Sequence, residues 1–291
     1  MLSNANFTVS DTRTLGRAEA RVVLSLREQN KSLVRLADLT AILESEKSAK
    51  VVLRALVRKG WLCRVIGGKY LFQPPERGPD KLGENNALAI AAAVVEPSYI
   101  GWWSAAAWYG FTTQTPATVF VAVTRQVPPR NIEGTDIRFI KLHPRKFFGA
   151  EPCQVYDRSV LISSPSKTVV DCLDRPDLAG GVPELARIVH SALGSIDPEA
   201  LLTDILRLDT HVAAQRLGFL ADAVGRPLPA AIRTRLRGAL PKNFRARLGR
   251  SVSREGDLGF NADWGVTVNV SEAELLAEVP RMMVKTSNAA T

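Results

Sequence analysis

The chain reads as an α+β protein, with an N-terminal winged helix-turn-helix followed by a larger mixed α/β domain rich in helices. Residues 45–72, SEKSAKVVLRALVRKGWLCRVIGGKYLF, run as a basic amphipathic helix, a tight stop and a hairpin with a Gly-Gly turn. Two shorter apolar-periodic segments precede this stretch, which gives the helix-helix-helix-hairpin order of a winged helix. The net charge of +9 is also unevenly placed. Residues 1–81 hold 15 Lys/Arg against 8 Asp/Glu, whereas residues 82–291 hold 23 against 21. A basic N-terminal module on a nearly neutral larger one points to an anionic polymer bound at the N-terminus.

Residues 1–12 are polar and expected to fray. From Thr14, the residues Leu15, Ala18, Val22, Val23 and Leu26 predict a helix to about Gln29, and residues 32–34 a short edge strand. Leu36, Leu39, Ile42 and Leu43 mark a second helix beginning at Arg35. In the third, Ala49, Val52, Leu53, Leu56 and Val57 form the buried stripe, and Lys47, Lys50, Arg54 and Arg58 the opposite face. Ser45 or Ser48 caps its start, and Gly60 takes the left-handed position past its end. Residues 61–66 and 69–72 flank Gly67-Gly68 as a hairpin. Residues 74–79, PPERGP, read as a stiff linker closing a first domain of residues 1–81.

The second domain, residues 82–291, opens with an Ala-rich helix over 85–95 and a Trp-rich helix within 101–110. Strands are expected at 119–123, 137–140 and 160–162. Ser164-Pro165 then starts a helix to Asp174, a serine cap followed by proline at the first helical position. Helical segments follow at 183–193, 197–208, 211–224 and 229–240, an irregular loop at 241–249, and late strands at 258–260 and 266–270. The tail beyond about 282 is expected to be disordered.

Composition narrows the function. A chain of 291 residues accommodates two cores. With no run of about 18 apolar residues, no membrane span is expected. The N-terminus has no secretory pattern. Cys63, Cys153 and Cys172 are isolated, which fits a reducing cytoplasm. No Cys/His grouping has metal-ligand spacing, and no cofactor is expected. Phosphate-loop, Gly-x-Ser-x-Gly and His-Glu-x-x-His patterns are missing, so the chain is not read as an enzyme. The strand at 119–123 lacks the acids of a nuclease, and Asp136 with Arg138 and Lys141 is only a faint echo of one.

Three pieces together resemble the AbiEi family, the antitoxin and transcriptional-regulator half of bacterial AbiE toxin–antitoxin systems. They are Leu56-Val57-Arg58-Lys59-Gly60-Trp61-Leu62 running into Gly68-Lys69-Tyr70; Tyr99-Ile100-Gly101 with Ser104-Ala105-Ala106; and Ser164-Pro165-Ser166-Lys167-Thr168-Val169-Val170-Asp171 with Arg175-Pro176 and Gly180-Gly181. In order they span roughly residues 14–270. The resemblance implies a bacterial repressor that binds inverted repeats at its own promoter through the winged helix; separately, a homodimer is expected, at least on DNA. It also implies that the C-terminal domain opposes a co-transcribed nucleotidyltransferase-like toxin. A winged-helix transcription factor with a small-molecule-sensing C-terminal domain is the alternative, since apolar pockets leave no local motif.

The expected DNA contacts are Lys47, Ser48, Lys50, Arg54 and Arg58 on the third helix, Arg64 and Lys69 on the wing, and Arg35 as a phosphate clamp. Lys47, Ser48 and Lys50 lie near the helix N-terminus, the end that usually reaches base edges. A second basic stretch, residues 226–254, has nine Lys/Arg and no Asp/Glu. It reads either as a contact for DNA backbone or an acidic partner, or as a solvated helix and loop. Trp102, Trp103 and Trp108 are expected in packing rather than base stacking. Asp171 and Asp174 are taken as structural, with Asp174 pairing with Arg175 or Arg158.

Overall fold

The computed structural model describes residues 14–31, 33–65, 67–73, 87–132, 134–155, 158–241, 243–249 and 257–280. Their fold is mixed α/β, as the sequence predicts, with eleven α-helices and three sheets. Contacts divide the chain into two compact units. The first is Met1–Pro97 with Pro129–Ile137 and Gln154–Ser159; the second is Ser98–Pro128 with Arg138–Cys153 and Val160–Thr291. The frayed N-terminus, the linker at 74–79 and the disordered tail expected above lie outside the described residues.

The first unit carries α1 (Arg17–Glu28), β1 (Leu33–Arg35), α2 (Leu36–Leu43), α3 (Glu46–Arg58), β2 (Leu62–Arg64), β3 (Lys69–Phe72) and α4 (Ala87–Val94). The strands form an antiparallel sheet in the order β1-β3-β2. Val22 and Leu26 of α1, Leu39 of α2, and Val52 and Leu56 of α3 meet Trp61 in one core. Between α2 and α3 the chain reverses at Glu44, whose φ of 56° is left-handed, and at Ser45. Ser45, not Ser48, is the cap: its Oγ accepts from the Ser48 amide at 3.3 Å. At the other end Gly60, with φ of 73°, lets the Trp61 amide reach back to the Leu56 carbonyl at 2.8 Å. This satisfies a carbonyl the helix leaves open. β2 is shorter than the expected 61–66 while β3 has the expected bounds, and Gly67 and Gly68 have φ of 62° and 70°. A Cβ at either would meet nothing within 4 Å, so the left-handed turn rather than space requires glycine there.

A six-stranded sheet has the order β6-β7-β5-β4-β9-β8. Its strands are β4 (Ser98–Ile100), β5 (Thr118–Val123), β6 (Arg130–Ile132), β7 (Thr135–Lys141), β8 (Ala150–Val155) and β9 (Arg158–Ser163). β4 pairs antiparallel with β5 and parallel with β9. β4, β6 and β8 have no counterpart among the sequence-predicted strands. β4 and β6 are three residues long, too short for a period, and β8 is an edge strand containing Pro152 with half of its residues exposed.

The helices of the second unit are α5 (Trp102–Trp108), α6 (Pro165–Asp174), α7 (Val182–Ala192), α8 (Pro198–Leu208), α9 (His211–Ala223), α10 (Ala230–Gly238) and α11 (Glu272–Leu275). A three-stranded sheet, β10-β12-β11, joins Ala246–Arg247, Val266–Val268 and Gly259–Asn261. β10 falls in the stretch read as an irregular loop; two residues cannot announce a strand. The core is centred on α6, buried from Ser166 to Leu173 and packed by α5, α7, α8 and α9. Trp264 is buried against α9 at Gly218, where a Cβ would lie 2.3 Å from the indole ring. Glycine there is what admits the tryptophan.

Candidate nucleic-acid interface

α3 divides cleanly into two sides. Ala49, Val52, Leu53 and Leu56 are buried, while Lys47, Ser48, Lys50, Arg54 and Arg58 are all exposed. Among the described residues, Lys47, Arg54 and Arg58 form no ion pair, although the Arg58 charge acts on Glu19 of α1 and helps to lower its carboxyl. Lys50 differs, because its ammonium pairs with Glu46 one turn earlier at 2.6 Å. The hydrogen bond and charge of Lys50 hold the Glu46 carboxyl below its ordinary value. Lys59, just past the helix, turns inward and donates to Glu19 of α1 at 2.5 Å. Burial works against that carboxylate, but the hydrogen bonds from Lys59 and from the Gly16 amide, with the Lys59 charge, still depress its pKa.

The wing gathers a second set. Arg35 lies directly across from Lys69 in the β1–β3 register, and Arg64 across from Tyr70 in β2–β3. The register therefore brings all three cations to the turn end of this small sheet. Arg35 and Arg64 are exposed. The Arg35 backbone is fixed by its amide, which donates to Asp38 Oδ2 at 2.6 Å, and Lys31 holds the other carboxylate oxygen at 2.6 Å. Lys69 is not a free tip residue. Its side chain is only 14% exposed and lies 3.5 Å from Glu96. Like charges facing each other across strands destabilise a sheet, and Glu96 offsets that repulsion. No local signal could have given Glu96 as the partner, 27 residues away. The pairing of Lys50 with Glu46, by contrast, has helical i, i+4 spacing.

The second basic stretch behaves differently. Arg233 donates to Asp222 at 2.6 Å, Arg235 to both Glu199 oxygens at 2.8 and 2.7 Å, and Arg237 lies 3.8 Å from Asp263. Arg233 also stacks 5.0 Å over the Trp264 ring, whose Nε1 donates to Asp222 at 2.8 Å. Arg247 meets Asp257 at 2.8 Å. Four arginines of this region, Arg233, Arg235, Arg237 and Arg247, are thus met by acids within the chain, whereas Arg245 lies 4.8 Å over the Phe260 ring.

Trp102 is in the core, Trp103 half-buried and Trp108 exposed at the end of α5. Asp171 is buried with Lys167, which is fully enclosed and forms a short hydrogen bond to Asp171 Oδ1. The Tyr99 hydroxyl donates to Asp171 Oδ2 at 3.3 Å, and the Lys167 ammonium lies 4.6 Å over the Phe148 ring. Burial pushes the Asp171 carboxyl up to about 6 against the pull of Lys167. The cluster satisfies itself and is structural. Asp174 is paired with Lys146 at 2.6 Å, in place of the expected Arg175 or Arg158, while Arg175 forms a two-pronged pair with Asp177 at 2.8 and 2.7 Å. The sequence reading did not raise Glu184, whose two buried carboxylate oxygens have no hydrogen-bond partner among the described residues. It also passed over Val51, an exposed apolar residue on the cationic face of α3.

No family model matches the chain, and no curated protein matches it by sequence. Among solved structures it is similar to the RV2827C protein from Mycobacterium tuberculosis, with a TM-score of 0.63 and 17% identity over 92% of this chain and 96% of that one. At that identity the likeness shows a shared fold. No helix among the described residues is long and apolar enough to cross a membrane.

Proposed function

We propose that the chain is a transcriptional repressor of the AbiEi family, binding inverted repeats at its own promoter in the bacterial cytoplasm and countering a co-transcribed nucleotidyltransferase-like toxin. The observation that carries the DNA-binding half is the exposed side of α3, where Lys47, Arg54 and Arg58 form no ion pair among the described residues. In a winged helix this helix enters the major groove and the hairpin follows phosphate. Arg64 and Arg35 then serve the backbone, and Lys69, held by Glu96, contributes less. Homodimerisation on DNA would match two half-sites with two copies of α3. The antitoxin half is supported by the three sequence pieces that resemble the family, of which the Ser164–Asp171 piece forms the start and body of the central helix α6.

Two experiments separate the halves. Full-length protein is titrated onto a duplex covering its own promoter. Replacing Arg54 and Arg58 by alanine is expected to weaken binding by roughly 1–3 kcal/mol for each residue that reads a base, with an unchanged unfolding temperature. Equal affinity in the double variant removes α3 as the reading helix. The downstream reading frame is then expressed with and without this chain; growth arrest by that frame that is not relieved by this chain removes the antitoxin role.

A further inference from the structure

Val51 is 61% exposed although it is a branched apolar residue in the middle of α3. The buried residues Ala49, Val52, Leu53 and Leu56 define the core side of the helix. At about 100° per residue, the direction opposite that side passes between Lys47 and Arg58, and Val51 lies only about 30° from it. Lys47 and Arg58 stand one and two turns away on the same face, with Arg54 between. Folding alone does not account for this choice. A β-branched side chain is a weaker helix former than alanine, lysine or glutamate, and in this position it buries nothing. A single exposed apolar residue is ordinary in itself, as Leu24 on α1 illustrates at 69% exposure. Val51 differs in its neighbours, three exposed cations that form no ion pair among the described residues.

We infer that Val51 contacts the 5-methyl group of a thymine in the major groove and so fixes one A·T pair of the recognised sequence. This rests on the DNA-binding reading of α3. If Lys47, Arg54 and Arg58 draw this face into the groove, Val51 is carried in with them and loses its water. A valine there can form no hydrogen bond. Of the four base edges the major groove presents, only thymine offers an apolar group, its C5-methyl. A cytosine amino group or a guanine carbonyl opposite Val51 would instead lose hydration with nothing in return. The residue therefore selects by attraction to one base and by penalty against the polar ones.

The test removes the methyl from the DNA and from the protein in turn. Full-length protein selects its preferred duplex from a random-sequence pool, and each thymine in that duplex is replaced singly by deoxyuridine. One position is expected to cost the wild type about fourfold in affinity, the equivalent of a single buried methyl group. Val51→Ala is expected to lose a similar factor on the thymine duplex and nothing further at that one deoxyuridine position. Val51→Thr, which keeps a methyl group, should retain the response. Neither variant should melt below the wild type, since Val51 supports no core and alanine is the better helix former. The inference is overturned if no deoxyuridine position affects the wild type, or if Val51→Ala still pays the full penalty at the responsive position. Failure to select any sequence would overturn the DNA-binding reading itself, and this inference with it.

Discussion

Two helices of this protein, α3 and α10, carry basic residues at similar density and use them in opposite ways. On α3 the exposed Lys47, Arg54 and Arg58 form no ion pair among the described residues, although the Arg58 charge acts on Glu19. On α10, Arg233, Arg235 and Arg237 each reach an acid from elsewhere in the second unit, at 2.6, 2.7 and 3.8 Å. A count of basic residues does not tell the two apart. A cation already neutralised by a carboxylate must give up that partner before it can release a counterion from DNA. A cation facing only water has nothing to give up. Lys167 marks the far limit, where the cation is wholly buried and its partner Asp171 is as well. What a cation does here depends on the company it keeps.

The largest effect is expected where the pair is buried. Lys167→Met leaves Asp171 enclosed without its cation and should destabilise the second unit by about 3–5 kcal/mol. Burial already raises the Asp171 carboxyl to about 6, and losing Lys167 raises it further. The folded variant then holds a proton at Asp171 that the unfolded chain releases, so its stability falls as pH rises above the ordinary carboxylate range. Thermal unfolding at pH 5 and pH 8 checks this. A variant equally stable at both values would show that the pair is not what holds Asp171.

A smaller change sharpens the contrast within α3 itself. On the exposed face of α3, Lys50 is ion-paired to a neighbour, Glu46. Glu46→Gln frees it and removes a negative charge from the same face, so DNA should bind about two- to fivefold more tightly at low salt. Weaker binding would mean that the Glu46–Lys50 pair positions the helix rather than competing with DNA. Smaller still, Arg235→Ala breaks a half-exposed pair and should cost about 0.2–1 kcal/mol of stability. DNA affinity should be untouched.

Much of the first unit was legible in the sequence, and the reasons are local. The phase of Ala49, Val52, Leu53 and Leu56, a serine before the helix and Gly60 after it fix α3 within a residue or two at each end. Gly67-Gly68 fixes the hairpin because both residues need left-handed φ. The same kind of signal placed α6, α8 and α9. Short or edge strands such as β4, β8 and β10 left no period to read. Partners distant along the chain were equally hidden. Glu96 for Lys69, Lys146 for Asp174, and Glu199 for Arg235 are brought together by the fold, and no spacing rule finds them. The candidate site was therefore legible as a set of exposed residues. Which of its cations are free was not, and that distinction separates α3 from α10.

Salt dependence tests the distinction most directly, because the slope of log affinity against log salt counts the phosphates neutralised. Three proteins are compared on one promoter duplex: the wild type, Lys47→Ala/Arg54→Ala/Arg58→Ala, and Arg233→Ala/Arg235→Ala/Arg237→Ala. With about four to seven phosphates met, the wild-type slope should be roughly −4 to −6. The α3 variant should be shallower by about 2 to 3, close to one for each phosphate-binding cation removed. The α10 variant should keep the wild-type slope. An unchanged slope in the α3 variant, or a flattened one in the α10 variant, would contradict the assignment of DNA binding to the unpaired cations of α3.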